Sequence, residues 1–84
     1  MDKEIRELDL EKISPNLRLV YYYDAIEELC RSLLSFGQLE PIQIWFDGER
    51  FRILDGEKRW RACKRLGIHR VKVIIIERVI SHQV

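Results

Sequence analysis

Glycine and proline are scarce in this chain, at four and two of 84 residues. So little of the two strongest chain breakers excludes a collagen-like or low-complexity polypeptide. Cysteine is as rare. Cys30 and Cys63 stand far apart, with no CxxC pair and no Cys/His cluster, which argues against a structural zinc site. Reduced thiols and a cytoplasmic location are the expectation. Long apolar runs are missing too: Val73 to Ile76 falls far short of the roughly 18–20 residues that span a bilayer. The Met1-Asp2-Lys3-Glu4 start has no apolar signal region, so no membrane partner is expected.

What is present is a globular composition, 46% hydrophobic and 35% charged, which disordered chains do not show. The length allows one domain over residues 1–84, with a core across about 5–77 and a tail at 78–84. A two-domain enzyme and a large barrel are excluded. The net charge of +1 hides an asymmetry. Residues 1–49 hold 5 basic and 11 acidic side chains, a net of −6, whereas residues 50–72 hold 9 basic and 2 acidic, a net of +7. Such a split points to an anionic partner or to one half neutralising the other.

Residues 5–10 half alternate and read as a short strand. Ser14-Pro15-Asn16 reads as a turn. Residues 17–23, with three consecutive tyrosines, suit either a packed loop or an extended piece. Asp24 is placed to cap a helix, with Glu27 three residues on as in a capping box. Ile26, Leu29, Cys30, Leu33 and either Phe36 or Leu34 form its apolar face. Glu27 and Arg31 pair on the other side, and Gly37 ends the helix. Ile42 to Phe46 alternates as a strand. Asp47-Gly48 signals a two-residue type I′ hairpin, with a return strand over 49–54. Asp55-Gly56 opens a second helix that turns Trp60, Cys63 and Leu66 inward and ends at Gly67. Val71 to Ile76 is β-branched and reads as the last strand, central in the sheet. Trp45 and Phe46, being adjacent, point to opposite faces, one of them to the core. The order predicts an α+β fold, a small mixed sheet with a β-hairpin and two packed helices.

The stretch that carries chemistry is Ile53 to Cys63. A strand ends, a glycine turn follows and a basic helix begins. The helix start offers backbone amides and the positive end of the helix dipole. Gly56 permits close approach to the backbone, and Lys58, Arg59 and Arg61 add cationic donors. These are the parts of a phosphate site. A solvated basic helix is the plain alternative.

Gly56-Glu57-Lys58-Arg59-Trp60-Arg61-Ala62 resembles the Gly-Glu-Arg-Arg-x-Arg box of the ParB N-terminal domain, in the wider ParB/sulfiredoxin superfamily. Ile13-Ser14-Pro15-Asn16 resembles that family's Ile-x-Pro-Asn turn. Glu28 to Leu33 resembles its Leu-x-x-Ser-Ile helix, and Gly37 to Ile42 its Gly-x-x-x-Pro-Ile strand entry. The resemblance spans about Leu8 to Glu77 and implies a ParB/sulfiredoxin-like fold that binds CTP or a similar nucleotide. It would place Gly56 and Glu57 at the phosphates through their amides, and Lys58, Arg59 and Arg61 on phosphate oxygens. The turn after Gly37, up to Pro41 and Ile42, would lie beside base and sugar, and Arg18 in the place of the arginine after the Pro-Asn turn. Lys58 departs from the family's arginine and lacks its bidentate fork. The family's acidic-Asn phosphate and metal motif, its helix-turn-helix and its dimerisation region have no counterpart in these 84 residues, so a complete DNA-clamping CTPase is not expected from them. Mg²⁺ with a nucleoside triphosphate is the one cofactor the resemblance brings; no metal is otherwise expected.

Three other activities compete. Sulfiredoxin resembles this fold but needs a cysteine in the turn that holds Asp55, Gly56 and Glu57. Kinase-like ParB-fold enzymes resemble it through an Asp-Gly-x-x-Arg turn, in which Asp55 would be catalytic; Asp55 also reads plainly as a helix cap. A DNA-contacting module, linked to partition or regulation, or a ParB-like nuclease would use Arg50, Arg52, Lys64 and Arg65 along with Arg61. A homodimer or a partner protein is left open by an exposed sheet edge and a spare aromatic.

Overall fold

Residues 4–15 and 23–77 are described by a computed structural model. The expectations for Asn16, Arg18, the tyrosines at 21 and 22, the side chain of Asp24 and the tail 78–84 lie outside the described residues.

Five strands form one mixed sheet: β1 (Arg6–Asp9), β2 (Ile13–Ser14), β3 (Ile42–Phe46), β4 (Phe51–Asp55) and β5 (Arg70–Ile75). Their order is β1-β5-β3-β4-β2. The outer strand β1 runs antiparallel to β5, β5 parallel to β3, β3 antiparallel to β4, and β4 parallel to β2. This is the expected α+β class, with β5 inside the sheet. Two helices pack on it, α1 (Tyr23–Phe36) and α2 (Glu57–Arg65).

Alternation explains which face is covered. Ile42 and Ile44 of β3 and Val71 and Val73 of β5 are buried, whereas Arg70 and Lys72 are exposed. Each buried branched side chain is worth roughly 1.5–3 kcal/mol against exposure. They join Ile26, Cys30 and Leu33 of α1 and Trp60, Ala62 and Cys63 of α2 in one cluster. Leu10 and Ile13 close it from the N-terminal segment, and Trp60 Nε1 donates to the Leu10 carbonyl at 3.4 Å. Ala62 has no exposed surface, and its carbonyl meets Cys30 Sγ at 3.8 Å, so a small residue is what lets the helices approach.

Several local expectations are corrected. Helix α1 already includes Tyr23, so Asp24 is not its first capping position. Leu34 and Phe36 are both exposed, so the apolar face that α1 buries is Ile26, Cys30 and Leu33 and does not extend to either of them. Ser14 belongs to β2, paired with Arg52, rather than to a turn. The hairpin is not a type I′ turn. Phe46 pairs with Phe51 across a four-residue loop, and only Gly48 has positive φ. The Asp47 carboxylate explains the longer loop: its Oδ1 accepts from the Glu49 and Arg50 amides, both at 2.8 Å. Neither Trp45 nor Phe46 reaches the core; Trp45 is half-buried and Phe46 meets Phe51 in a tilted ring contact, centroids 5.1 Å apart. The N-cap of α2 is Gly56, not Asp55, which ends β4 and is exposed.

Candidate functional site

Strand β4 delivers the chain to Gly56, whose φ of 109° turns it into α2. That conformation is cheap only for glycine. Space demands glycine as well: a Cβ there would stand 2.9 Å from Arg59 Nη1 and 3.3 Å from Ile42 Cα. The guanidinium of Arg59 therefore lies directly over the helix start. A glycine cap brings no side chain to the first-turn amides, which carry the positive end of the helix dipole.

Two arginines of α2 are held by acids in different ways. Arg61 donates from Nε and Nη2 to one oxygen of Glu57, at 3.2 and 3.0 Å. The Glu57 side chain is only 3% exposed, so this pair is built into the helix start. Arg59 reaches back over Gly56 to the Pro41 carbonyl at 3.3 Å and to Glu40 Oε1 at 3.1 Å. The Glu40 side chain is 74% exposed against 21% for Arg59.

The segment after α1 supplies the other wall. Gly37 ends the helix with φ 76°, its amide donating to the Leu33 carbonyl. Gln38 then fixes the loop to β5. Its Oε1 accepts from the Lys72 amide at 2.7 Å, and its Nε2 donates to the Lys72 and Glu40 carbonyls, both at 2.9 Å. A pocket of about 220 Å³ opens between these walls, lined by Leu29, Ser32, Leu33, Gly37, Leu39, Glu40 and Arg59.

Of the residues expected at a phosphate or nucleotide site, Gly37 and Arg59 line the pocket, and Arg59 meets Pro41 and Gly56. Lys58 is exposed on the first turn of α2, and Arg61 turns toward Glu57. Arg18 lies outside the described residues. Each of the nucleic-acid candidates is engaged by a neighbour. Arg50 is tied to Ser14 and to the Glu11 carbonyl, and Arg52 to Asp47, at the hairpin end. Lys64 lies over the Trp60 ring and Arg65 pairs with Glu27, toward the other end of α2. Gln38 and Glu40 fall inside the turn expected beside base and sugar, but neither carries an expected role of its own. Their signal was position alone, inside the Gly37–Pro41 turn.

The thiols stand apart. Cys63 is fully buried, and burial pushes its pKa up, against the pull of the Arg59 charge. Asp55-Gly56-Glu57 contains no thiol. Among the described residues no three His, Cys, Asp or Glu side chains converge to hold a metal ion. No helix among them is long and apolar enough to cross a membrane.

The pattern of the ParB N-terminal domain family matches residues 1–83. A probable chromosome-partitioning protein ParB from Rickettsia felis is 40% identical over 74 residues, covering 84% of this chain and 25% of that protein. A nucleoid occlusion protein from a Geobacillus strain is 36% identical, covering 87% of this chain and 27% of that protein. The chain thus spans about a quarter of the length of these curated relatives. Among solved structures, C-terminally truncated ParB from Caulobacter crescentus complexed with CTP-gamma-S superposes with a TM-score of 0.81 at 28% identity, over 90% of this chain and 46% of that one. Sulfiredoxin from Arabidopsis thaliana also gives 0.81, at 26% identity over 89% of this chain and 86% of that one. Free serine kinase in complex with AMP, at 0.77 and 23% identity over 90% of this chain and 32% of that one, shares the fold.

Proposed function

Because the chain belongs to the ParB N-terminal domain family, we propose that it binds a nucleoside phosphate, CTP before others, across the Gly37–Pro41 loop and the Gly56 turn. The observation that carries this reading is convergence. Gly37, Leu39 and Glu40 of the loop after α1 and Arg59 of α2 line one pocket, and the Arg59 guanidinium also lies against Gly56. The pocket is smaller than the roughly 300–1,000 Å³ that encloses a whole drug-sized ligand. It suits the base and part of the sugar, and leaves the phosphates outside, over the start of α2. There the amides and dipole of the helix favour anions, and Arg59 and Lys58 supply the countercharge. The structure solved with CTP-gamma-S on the same fold supports this reading.

Glu57 and Arg61 hold the helix start rather than the ligand. A carboxylate this buried needs its guanidinium, and the pair fixes the first turn that presents the amides. Chromosome partitioning, which the relatives' names carry, is the setting in which such binding would serve.

Phosphotransfer is the second reading, favoured by Asp55. Its carboxylate does not cap α2 and lies exposed beside the turn. Calorimetry with CTP, ATP and ADP, with and without Mg²⁺, tests the first reading; no heat from any of them at millimolar concentration contradicts it. The second predicts turnover of a hydroxyl acceptor that disappears in Asp55→Ala.

A further inference from the structure

The Arg59–Glu40 and Arg61–Glu57 pairs of α2 differ in one respect that bears on the ligand. The Glu57 carboxylate is buried and cannot leave Arg61 without stranding a charge. The Glu40 carboxylate is three-quarters exposed and leaves Arg59 for water at little cost. Yet Glu40 sits where the ligand's negative charge belongs. The guanidinium it engages covers Gly56, at the mouth of the pocket that Glu40 itself lines. Arg59 has a fixed fork of donors, with Nη1 given to the Pro41 carbonyl and Nη2 to Glu40.

From this we propose that Glu40 is the resident anion of the site: its carboxylate holds Arg59 Nη2 in the ligand-free protein, and a phosphate group takes its place on binding. The exchange is anion for anion at one guanidinium. No bond is made or broken, and the displaced carboxylate turns to solvent. The backbone half of the grip, Pro41 to Nη1, stays in place and keeps the guanidinium over Gly56. Glu40 therefore weakens binding of every ligand whose phosphate uses Arg59, and leaves unaffected ligands that do not reach it. This inference rests on the phosphate reading of the Gly56 turn.

The test uses the 84-residue chain and its Glu40→Gln and Glu49→Gln variants, titrated with tripolyphosphate and with CTP at fixed low salt. Both variants remove one negative charge. Glu49 lies in the loop at the far end of β3 from Pro41, so it reports the general charge effect. The expected result is binding tightened roughly two- to fivefold in Glu40→Gln, the size of an exposed ion pair lost as a competitor, with Glu49→Gln close to wild type. Thermal melts of both variants near wild type confirm an intact fold. Unchanged or weaker binding in Glu40→Gln overturns the competitor role while the phosphate site stands on the wild-type titration. Equal tightening in both variants overturns it as well. Absence of binding in all three proteins overturns this inference together with the reading beneath it.

Discussion

The carboxamide of Gln38 lies against the peptide of Lys72 as a strand residue would. Oε1 takes the Lys72 N–H at 2.7 Å and Nε2 gives to its C=O at 2.9 Å. The β3–β5 ladder begins one residue on, at Ile42 and Val73, and the residue before Ile42 is Pro41, which has no N–H to offer. An amide side chain has the donor and acceptor of a peptide group, and so extends the ladder past the proline. The same Nε2 reaches the Glu40 carbonyl, which places the loop that faces Arg59.

Gln38→Ala should therefore loosen the ligand loop while the core stays intact. Three hydrogen bonds at an exposed position are worth about 1–2 kcal/mol together. Nucleotide affinity should fall several-fold. Gln38→Glu should fare no better, because a carboxylate keeps the Lys72 N–H but cannot donate to two carbonyls. Calorimetric titration beside a thermal melt separates the binding loss from the stability loss.

Gly56→Ala should cost about 1–3 kcal/mol, the usual penalty of a non-glycine residue held in such a conformation. It should cost binding as well. The added methyl meets Arg59 Nη1 and the Ile42 backbone, and only the arginine can move. Gly48→Ala makes the comparison, since its φ is also positive at 103° but a Cβ there meets nothing within 4 Å. Gly48→Ala should lose stability alone and keep its nucleotide affinity.

Asp47 makes stability depend on pH at the hairpin. The Arg50 amide, then the Arg52 guanidinium and the Glu49 amide, hold its carboxyl well below the usual carboxylate range. A carboxyl lowered by folding stabilises the fold above its ordinary value, near pH 4, and that stability drains away as acid approaches the folded-state value. Wild type should melt higher than Asp47→Asn at pH 7. The gap should hold down to about pH 4 and narrow below it. A gap that is constant from pH 7 to pH 2 contradicts the assignment.

Cys30 and Cys63 should resist thiol reagents in the folded protein. Both are buried, and burial pushes the Cys63 thiol up, away from the reactive thiolate. Modification by a disulfide reagent should proceed only as fast as the chain opens, and at once in denaturant. Rapid labelling of Cys63 in native protein contradicts this and would reopen thiol chemistry on a fold that sulfiredoxin shares.

Much of this was legible in the residues. Period-two alternation marked Ile42–Phe46 to the residue, and β-branching marked β5. The glycine between an apolar strand and a basic helix marked the turn under Arg59. What stayed hidden depended on partners far along the chain. The spacing of Asp47-Gly48 permits a tight turn, but the Asp47 carboxylate bonds two amides and draws the loop out to four residues. Asp55 looks like a cap because it precedes a helix, yet the N-cap falls to Gly56, one residue later. The pairing of Ser14 with Arg52 is set by the sheet, not by the Ser-Pro signal. Gln38 and Glu40 carry no motif. Their roles come from Lys72 and Arg59, 34 and 19 positions away.

Arg59 is the group proposed to meet the ligand's phosphates over Gly56. CTP titrated into wild type and Arg59→Ala at matched salt measures this directly. Wild type should bind, and Arg59→Ala should bind roughly 10- to 100-fold more weakly, the loss of a hydrogen bond to a charged group. The Arg59→Ala melt should stay close to wild type, because its partner Glu40 is exposed. Equal affinity in the two proteins, or no binding by wild type at millimolar CTP, contradicts the account.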